Sequence, residues 1–392
     1  MMQKKLIVVA LAAAITLPVA ALADNGNFTF YGVADLSYDF VNTGDGTTTA
    51  NGATAVTGVS KRVVSSNVSK FGFKGSEDLG DGLSANWQVE QQINFDDAAS
   101  NTFASRNTFV NLKNETLGTI LFGRHDTPYK FATRKLDVFG DNVGDNRALM
   151  GAPASRTAVA VTPTAGAAPF AGASSHGFEL RPTNILMYTS PTFGGVTAAV
   201  AMVNLTEQNY TSAHTRNKLL SMAAMYDVAP FYASIAHEEH KLESVAIVSV
   251  TNPGQDESAT RFGFGFKPEA QPFELGVVYE KTTDNLGVAS ANLYGHNALY
   301  LSGKYNIGND AIKLGYVKAG TLGAIADSGA RQVSVGYDHG LSKRTKLYAL
   351  YTKISNGMGI NYGFSQSSGA NTSNAGFGTS PSVLSLGVKH SF

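Results

Sequence analysis

The chain has 392 residues, 30 acidic and 30 basic side chains, and no cysteine. This balance gives no reason to expect nucleic-acid binding, and the missing thiols exclude disulfides and thiol chemistry. The hydrophobic fraction is 43%, yet after the amino-terminal segment no apolar run reaches the roughly 20 residues of a membrane-spanning helix, which excludes a helical membrane protein.

The amino-terminal segment has the pattern of an export signal. Two lysines precede an apolar run from Leu6 to Leu17, Pro18 ends that run, and Ala21-Leu22-Ala23 supplies the small residues that a signal peptidase recognises. The run is too short for a spanning helix. We therefore predict a signal peptide over residues 1–23, a mature chain that begins at Asp24, and export through the general secretory route.

Short segments in which apolar and polar residues alternate follow along the rest of the chain, and this period of two predicts β-strands. The clearest is Leu83 to Phe95, with Trp87 on its apolar face and Glu90 on its polar face. Similar segments are Phe30 to Phe40, Phe262 to Phe266, Phe273 to Tyr279, Tyr300 to Tyr305, Ile312 to Val317, Val333 to Tyr337, Leu347 to Tyr351 and Leu384 to Phe392. No helical period is sustained, so the fold class is all-β. One such strand would also suit a soluble sandwich.

The connections between these segments alternate in length. Short turns are predicted at Glu77 to Gly82, Asn114 to Gly118, Asp227 to Pro230, Pro268 to Pro272, Ile307 to Asp310 and His339 to Arg344. Long polar segments lie between them, at Thr43 to Ser60, Glu207 to Asn217, His240 to Ala259, Thr282 to Gly295, Gly320 to Gly329 and Asn356 to Pro381. This alternation is typical of an up-and-down membrane barrel. At about 10 residues per strand, the chain accommodates fourteen to sixteen strands.

The last strand ends the chain on an aromatic residue. Leu384, Leu386 and Val388 share one face with the terminal Phe392, while small or polar residues occupy the other. Outer-membrane barrels close with such a strand, whose outward residues contact lipid and whose last ring lies at the membrane interface.

Several motifs resemble those of one family. Lys70 to Leu83 reads K-F-G-F-K-G-S-E-D-L-G-D-G-L and is similar to the second strand and first turn of Gram-negative general-diffusion porins. Further matches occur in family order at Arg106 to Leu112, Gly118 to Tyr129, Arg181 to Phe193, Leu341 to Tyr351 and the terminal strand. The resemblance implies a homotrimer of 16-stranded antiparallel transmembrane β-barrels in the outer membrane. It also implies a third loop, about residues 125–180, that folds inward and constricts a water-filled channel.

One segment departs from the family pattern. Ala148 to Gly177 is rich in Ala, Ser, Thr, Pro and Gly and lengthens the third loop beyond the usual porin. Small residues and prolines favour an irregular segment over another strand. We expect it to lie in or over the barrel mouth, where it would affect the size of the constriction.

The resemblance also implies the residues of the constriction, where basic side chains on the wall face acidic groups on the inward loop. The predicted basic wall consists of Lys70, Arg106 and Arg181, with Arg124 in a G-R motif and Lys74 on the face of Lys70 as further candidates. The predicted loop acids are Asp137, Asp141 and Asp145. The alternative for the wall residues is that they are solvated charges on the surface of a soluble sheet. The alternative for the loop acids is a capped turn with solvated carboxylates.

Enzymatic and metal-binding motifs are weak. His237-Glu238-Glu239-His240 lacks the spacing of the zinc motif H-E-x-x-H and lies on a predicted strand end. No nucleotide-binding or nucleophile-elbow motif occurs, and no calcium loop is indicated. We therefore predict no enzyme activity, no metal and no cofactor.

Three function classes remain after these exclusions. A passive channel for ions and small hydrophilic solutes leads, a substrate-selective channel narrowed by the long third loop is the alternative, and a non-channel barrel, an enzyme or adhesin, comes last. The resemblance implies as partners two further copies of the chain, outer-membrane lipid and lipopolysaccharide, small solutes, and the barrel-assembly machinery, which would read Phe392. Nucleic acid is not among them.

Overall fold

The computed structural model describes residues 27–97, 101, 103–151, 177–204, 218–242, 255–284, 292, 295–323, 325–372 and 375–392. The predicted signal peptide and residues 152–176 of the third-loop segment lie outside this part of the chain. No helix in the described part is long and apolar enough to cross a membrane.

Within the described ranges the chain forms sixteen barrel strands, one of them in two segments, as the resemblance implies. The first eight are β1 (Thr29–Asn42), β2 (Ser60–Ser66 and Lys70–Gly80), β3 (Leu83–Gln92), β4 (Thr108–Asn114), β5 (Gly118–Arg124), β6 (Ile185–Thr189), β7 (Val196–Asn204) and β8 (Lys218–Val228). The others are β9 (Phe231–Leu242), β10 (Gln255–Phe266), β11 (Phe273–Asp284), β12 (Asn297–Ile307), β13 (Asp310–Ala319), β14 (Ala330–Gly340), β15 (Thr345–Asn356) and β16 (Ser382–Ser391). A short hairpin, Gly46–Thr47 with Ala55–Val56, lies in the first loop.

Every strand pairs antiparallel with its sequence neighbours, and β16 pairs with β1 to close the barrel. At this seam the backbone of Phe392 exchanges hydrogen bonds of 2.9 and 3.0 Å with Gly32, and the Phe392 ring lies 5.6 Å from Phe30. A closed barrel leaves no unpaired edge. The terminal residue is therefore part of the closure, and its reading by the assembly machinery stays a prediction.

The burial of side chains is inverted relative to a soluble sandwich. On β14, Gln332 and Ser334 are buried, whereas Val333 and Val335 between them are 47% and 45% exposed. The same alternation runs along β1, where Asp35 is buried and Tyr38 exposed. A soluble sheet buries its apolar face, while a membrane barrel directs that face to lipid. The outer wall is therefore the lipid-facing surface.

A one-residue bulge in β2 decides which of its side chains face the lumen. Ser66 pairs with Leu36 and Lys70 with Val33, so β2 advances by four residues while β1 advances by three. The extra residue is accommodated at Val68, whose φ of 52° is uncommon for a β-branched side chain. Because one extra residue exchanges the two faces of a strand, Lys70 points into the lumen.

The predicted alternation of connections is confirmed. The six predicted short turns each join consecutive strands on one side of the barrel, and the strand ends next to the long segments lie on the other side. A seventh turn, residues 190–195 between β6 and β7, is missing from the prediction. Leu83 to Phe95 is also shorter than predicted, since β3 ends at Gln92.

Candidate pore constriction

The third loop, residues 125–184 between β5 and β6, begins with a short helix that is seated on the inner wall. Helix α1, Pro128–Arg134, is capped by the Thr127 side chain and has proline in its first turn. Tyr129 and Ala132 on this helix are fully buried. The Tyr129 amide donates to the Ser221 hydroxyl of β8 at 3.0 Å, and the Tyr232 hydroxyl of β9 donates to the Ala132 carbonyl.

The loop then follows the inner wall towards β14. The Ser302 hydroxyl donates to the Leu136 carbonyl at 2.8 Å, and the Tyr300 hydroxyl donates to Asp137 Oδ1 at 2.9 Å. Further on, Gln332 Nε2 donates to a loop carbonyl at 3.3 Å. These wall residues occupy the buried positions of β12 and β14, the lumen face. The contacts place the described part of the loop inside the barrel.

A buried ion pair on the wall joins three parts of this loop. Arg261 of β10 pairs with Glu280 of β11, and both are buried. Glu280 accepts the Tyr129 hydroxyl at 2.6 Å and the Gly151 amide at 2.8 Å. Arg261 Nη1 lies 2.7 Å from Glu179 Oε1 on the returning segment. We call Arg261 and Glu280 the loop anchor, because together they contact the start, middle and end of the loop.

The three predicted loop acids share two arginines of the same loop. Arg134 lies 2.7 Å from Asp141, 2.9 Å from Asp145 and 3.5 Å from Asp137. Arg147 lies 3.0 Å from Asp141 and 2.7 Å from Asp145. Asp137 and Asp145 are almost completely covered, whereas 27% of the Asp141 side chain is exposed. Of the three candidate acids, Asp137 and Asp145 are therefore enclosed by their own loop, and Asp141 is the one with an exposed side chain.

The ionisation of the exposed acid follows from the same contacts. Burial raises the pKa of Asp141, but the guanidinium groups of Arg134 and Arg147 outweigh burial and lower that pKa to about 2. The charge of Lys70 acts in the same direction. Asp141 is thus the loop acid close enough to the wall to interact with Lys70, and it stays ionised at neutral pH.

The structure brings three of the predicted wall cations together. Lys70 and Arg106 both lie beside Gln92: Lys70 is its partner across the β2–β3 ladder, and Arg106 Nη1 is 3.4 Å from its Oε1. Arg181 Nε donates at 2.7 Å to Asn107, the residue after Arg106. Glu90 lies 2.6 Å from Arg106, and Asp126 lies 3.0 Å from Arg181. Among the described residues Lys70 has no carboxylate within 4 Å.

The other two wall candidates lie elsewhere. Arg124 is the last residue of β5, and among the described residues it has no hydrogen bond or ion pair with Lys70, Arg106 or Arg181. Lys74 shares the face of Lys70 but is four residues nearer the short turns, about 13 Å along the strand, and stacks at 5.4 Å on Tyr31. Neither residue joins the constriction cluster.

Sequence reasoning missed the residues that form ion pairs with the candidate wall cations and loop acids. Glu90 was recognised only as part of a polar face, and Arg134 and Arg147 were not singled out. Charged residues two to eleven positions from the loop acids were the available signal, because a folded loop can bring them together. No local signal marks Arg261 or Glu280, which lie more than 100 residues from the loop helix that they hold.

The eighth loop, residues 357–381 between β15 and β16, also packs inside the barrel mouth. Its Ile360, Tyr362 and Phe364 are fully buried in a hydrophobic cluster with inward-facing residues such as Val383. Leu149 of the third loop belongs to the same cluster. Two loops therefore share one apolar core within the barrel and narrow its external opening.

The histidines of the weak zinc motif lie on opposite sides of the wall. His240 is buried on the lumen face, 2.6 Å from Glu257 and 2.9 Å from Glu238, and stacks on Phe178 at 4.8 Å. His237 is three positions away on the outer face, because side chains alternate along a strand. These two rings cannot bind one metal ion.

Comparisons with known proteins agree with the barrel and its motifs. A family model described as Gram-negative porin matches residues 10–359. Outer membrane porin protein 32 of Delftia acidovorans is 26% identical over 411 aligned residues, which cover all of both chains.

Two solved structures share the fold of this chain. The anion-selective porin from Comamonas acidovorans has a TM-score of 0.71 at 21% identity, over 93% of this chain and 99% of that one. The trimer form of OmpT from Vibrio cholerae has a TM-score of 0.57 at 14% identity, over 94% and 100%.

Proposed function

The chain belongs to the Gram-negative porin family, and we propose that its water-filled outer-membrane channel, which passes small hydrophilic solutes by passive diffusion, prefers anions. One observation carries the preference. The loop acids are paired with Arg134 and Arg147, whereas among the described residues Lys70 on the facing wall has no ion-pair partner. An uncompensated cation at a narrow section attracts anions and repels cations.

The neighbouring charges support this proposal. Arg106 and Arg181 each contact one carboxylate, and Arg181, the more exposed of the two, keeps part of its guanidinium for a passing anion. The solved porin from Comamonas acidovorans is described as anion-selective. The alternative predicted from the sequence is a substrate-selective channel. Its current would instead saturate as the concentration of one solute is raised.

We further propose that the protein assembles as a homotrimer. The trimer form of the Vibrio cholerae relative supports this assembly, as does family membership. In single-channel recordings a trimer of open barrels should close in three equal steps. Family membership also argues for a channel in place of an enzyme.

Replacing Lys70 with glutamine is expected to reduce the anion preference, because it removes the constriction cation that has no ion pair among the described residues. At about 10 Å and an effective dielectric near 20, a unit charge changes the energy of an ion by about 1.7 kcal/mol, so the permeability ratio should fall about tenfold or more. The measurement is the reversal potential of reconstituted channels in a KCl gradient. Lys74→Gln removes the same charge lower in the same strand and serves as control; equal shifts for both variants would contradict the placement of Lys70.

A further inference from the structure

A cavity of about 150 Å³ lies between the third loop and the inner wall of the barrel. Its lining includes Lys135, Leu136 and Val138 of the loop, and Tyr232 and Ser302 of the wall. Tyr232 is the second residue of β9 and follows directly on a short turn. Short turns face the periplasm in outer-membrane barrels, so the cavity lies on the periplasmic side of the loop.

The part of the cavity next to the loop is apolar. Leu136 and Tyr232 are both buried, and Gly265 and Gly276 contribute wall that has no side chains. A Cβ atom at Gly265 would lie only 2.7 Å from a methyl carbon of Leu136, so the loop can take this position only beside glycine. An apolar cavity of roughly this volume holds a single benzene ring. The space therefore suits a ligand with one small ring.

The charged side chains around the cavity have one positive charge in excess. Lys135 pairs with Asp227 at 2.5 Å. Lys267 and Lys304 share a single carboxylate, that of Glu274, at 3.1 and 3.3 Å. These ion pairs therefore join three ammonium groups to two carboxylates. Lys267 lines the cavity and its side chain is 72% exposed, so its ammonium group is accessible to a ligand.

We propose that this cavity binds small carboxylates that carry one apolar ring. The ring would occupy the space beside Leu136, and the carboxylate would lie at the rim, next to the ammonium group of Lys267. Small-molecule sites combine an apolar lining with a few polar groups that orient the ligand, and an ammonium group forms strong hydrogen bonds with a carboxylate. A neutral ring would not use the cation, and a small inorganic anion would not use the apolar wall.

The proposal extends the proposed anion preference from inorganic to organic ions, and the two can fail separately. The preference measured in KCl depends on Lys70 at the constriction, whereas the cavity depends on Lys267 at the periplasmic end. Lys70→Gln should therefore change the reversal potential and leave the binding of the organic anion unchanged. A native channel without anion preference that still binds this ligand would contradict the proposed ion preference alone.

Fluorine NMR of para-fluorobenzoate measures the binding directly. The folded protein in detergent is titrated with this probe, and empty micelles give the signal of the unbound and micelle-associated probe. An exposed ion pair contributes up to about fivefold in binding, so Lys267→Gln should raise the dissociation constant about threefold to fivefold. Lys343→Gln removes the same charge from another exposed short turn and should leave the constant unchanged. An unchanged constant in Lys267→Gln, or an equal loss in both variants, would overturn the proposal.

Two further probes test the chemical class of the ligand. The neutral para-fluorobenzyl alcohol has the ring without the charge, and fluoroacetate has the charge without the ring. Both should bind the native protein several-fold more weakly than para-fluorobenzoate, after the signal from empty micelles is subtracted. Equal binding of fluoroacetate would indicate a site for any small anion, and equal binding of the alcohol would indicate an apolar site. Either result would contradict the proposal.

A spin label locates the bound probe. The chain has no cysteine, so one introduced cysteine carries the only label. A nitroxide at Glu269→Cys, in the short turn between β10 and β11, should broaden the fluorine signal of bound para-fluorobenzoate. A nitroxide at Met358→Cys, in the eighth loop at the external mouth, should broaden it much less. Stronger broadening from position 358, or loss of binding in Lys70→Gln, would place the ligand outside this cavity and overturn the proposal.

Discussion

Replacing Arg261 with alanine is expected to release the third loop from the wall and raise the single-channel conductance. Arg261 is 3% exposed and Glu280 is fully buried, so the substitution leaves a buried carboxylate without its cation. Removal of one partner of a buried ion pair costs about 3–5 kcal/mol. The cost falls on the loop, because Glu280 also holds the Tyr129 hydroxyl and the Gly151 amide. The barrel should persist, since no hydrogen bond of the strand ladder is removed.

Single-channel recording checks this expectation through the mean conductance and the current noise of the open state. Arg331→Ala is the matched control, because it removes an arginine from β14, four strands away, where the side chain points outward. Higher conductance with added noise in Arg261→Ala alone is the expected outcome. An unchanged conductance in a correctly folded Arg261→Ala protein would mean that the anchor does not hold the loop in the channel.

Replacing Arg134 and Arg147 together with glutamine should reverse the ion preference. Both guanidinium groups compensate Asp141 and Asp145, and glutamine retains hydrogen-bonding capacity without the charge. The net charge of the loop then becomes more negative by up to two units. At about 10 Å and an effective dielectric near 20, each changes the energy of a permeating ion by about 1.7 kcal/mol. Together the two changes correspond to more than a tenfold shift of the permeability ratio in favour of cations.

The matched control for this variant removes two positive charges that do not contact the loop acids. Lys74 stacks on Tyr31 in the lower lumen, and Lys135 pairs with Asp227 at 2.5 Å near the short turns. Lys74→Gln with Lys135→Gln should shift the reversal potential much less than the arginine variant does. Equal shifts would indicate that total charge, and not its position in the loop, sets the ion preference.

The barrel could be predicted from the sequence because its determinants are local. Alternation along a strand such as β14 identifies both faces without knowledge of any partner strand. The length of the connections then gives the order of turns and loops.

The constriction could be predicted only in part. The motifs identify Lys70, Arg106 and Arg181 as neighbours, and the structure brings them together around Gln92 and Asn107. The loop acids were found, but their neutralisation was not, because it depends on the fold of a loop without regular structure. The loop anchor depends on contacts with loop residues more than 80 positions away in the sequence. Nothing in a single sequence reports such contacts.

The reversal potential of the native channel in a KCl gradient tests the central claim most directly. The claim is an open, water-filled channel whose narrow section carries compensated acids and an uncompensated Lys70. We predict a current that rises linearly with voltage and does not saturate with salt, with a reversal potential displaced towards the chloride equilibrium potential. A reversal potential displaced towards potassium would contradict the charge assignment, and a silent bilayer with folded protein would contradict the channel itself.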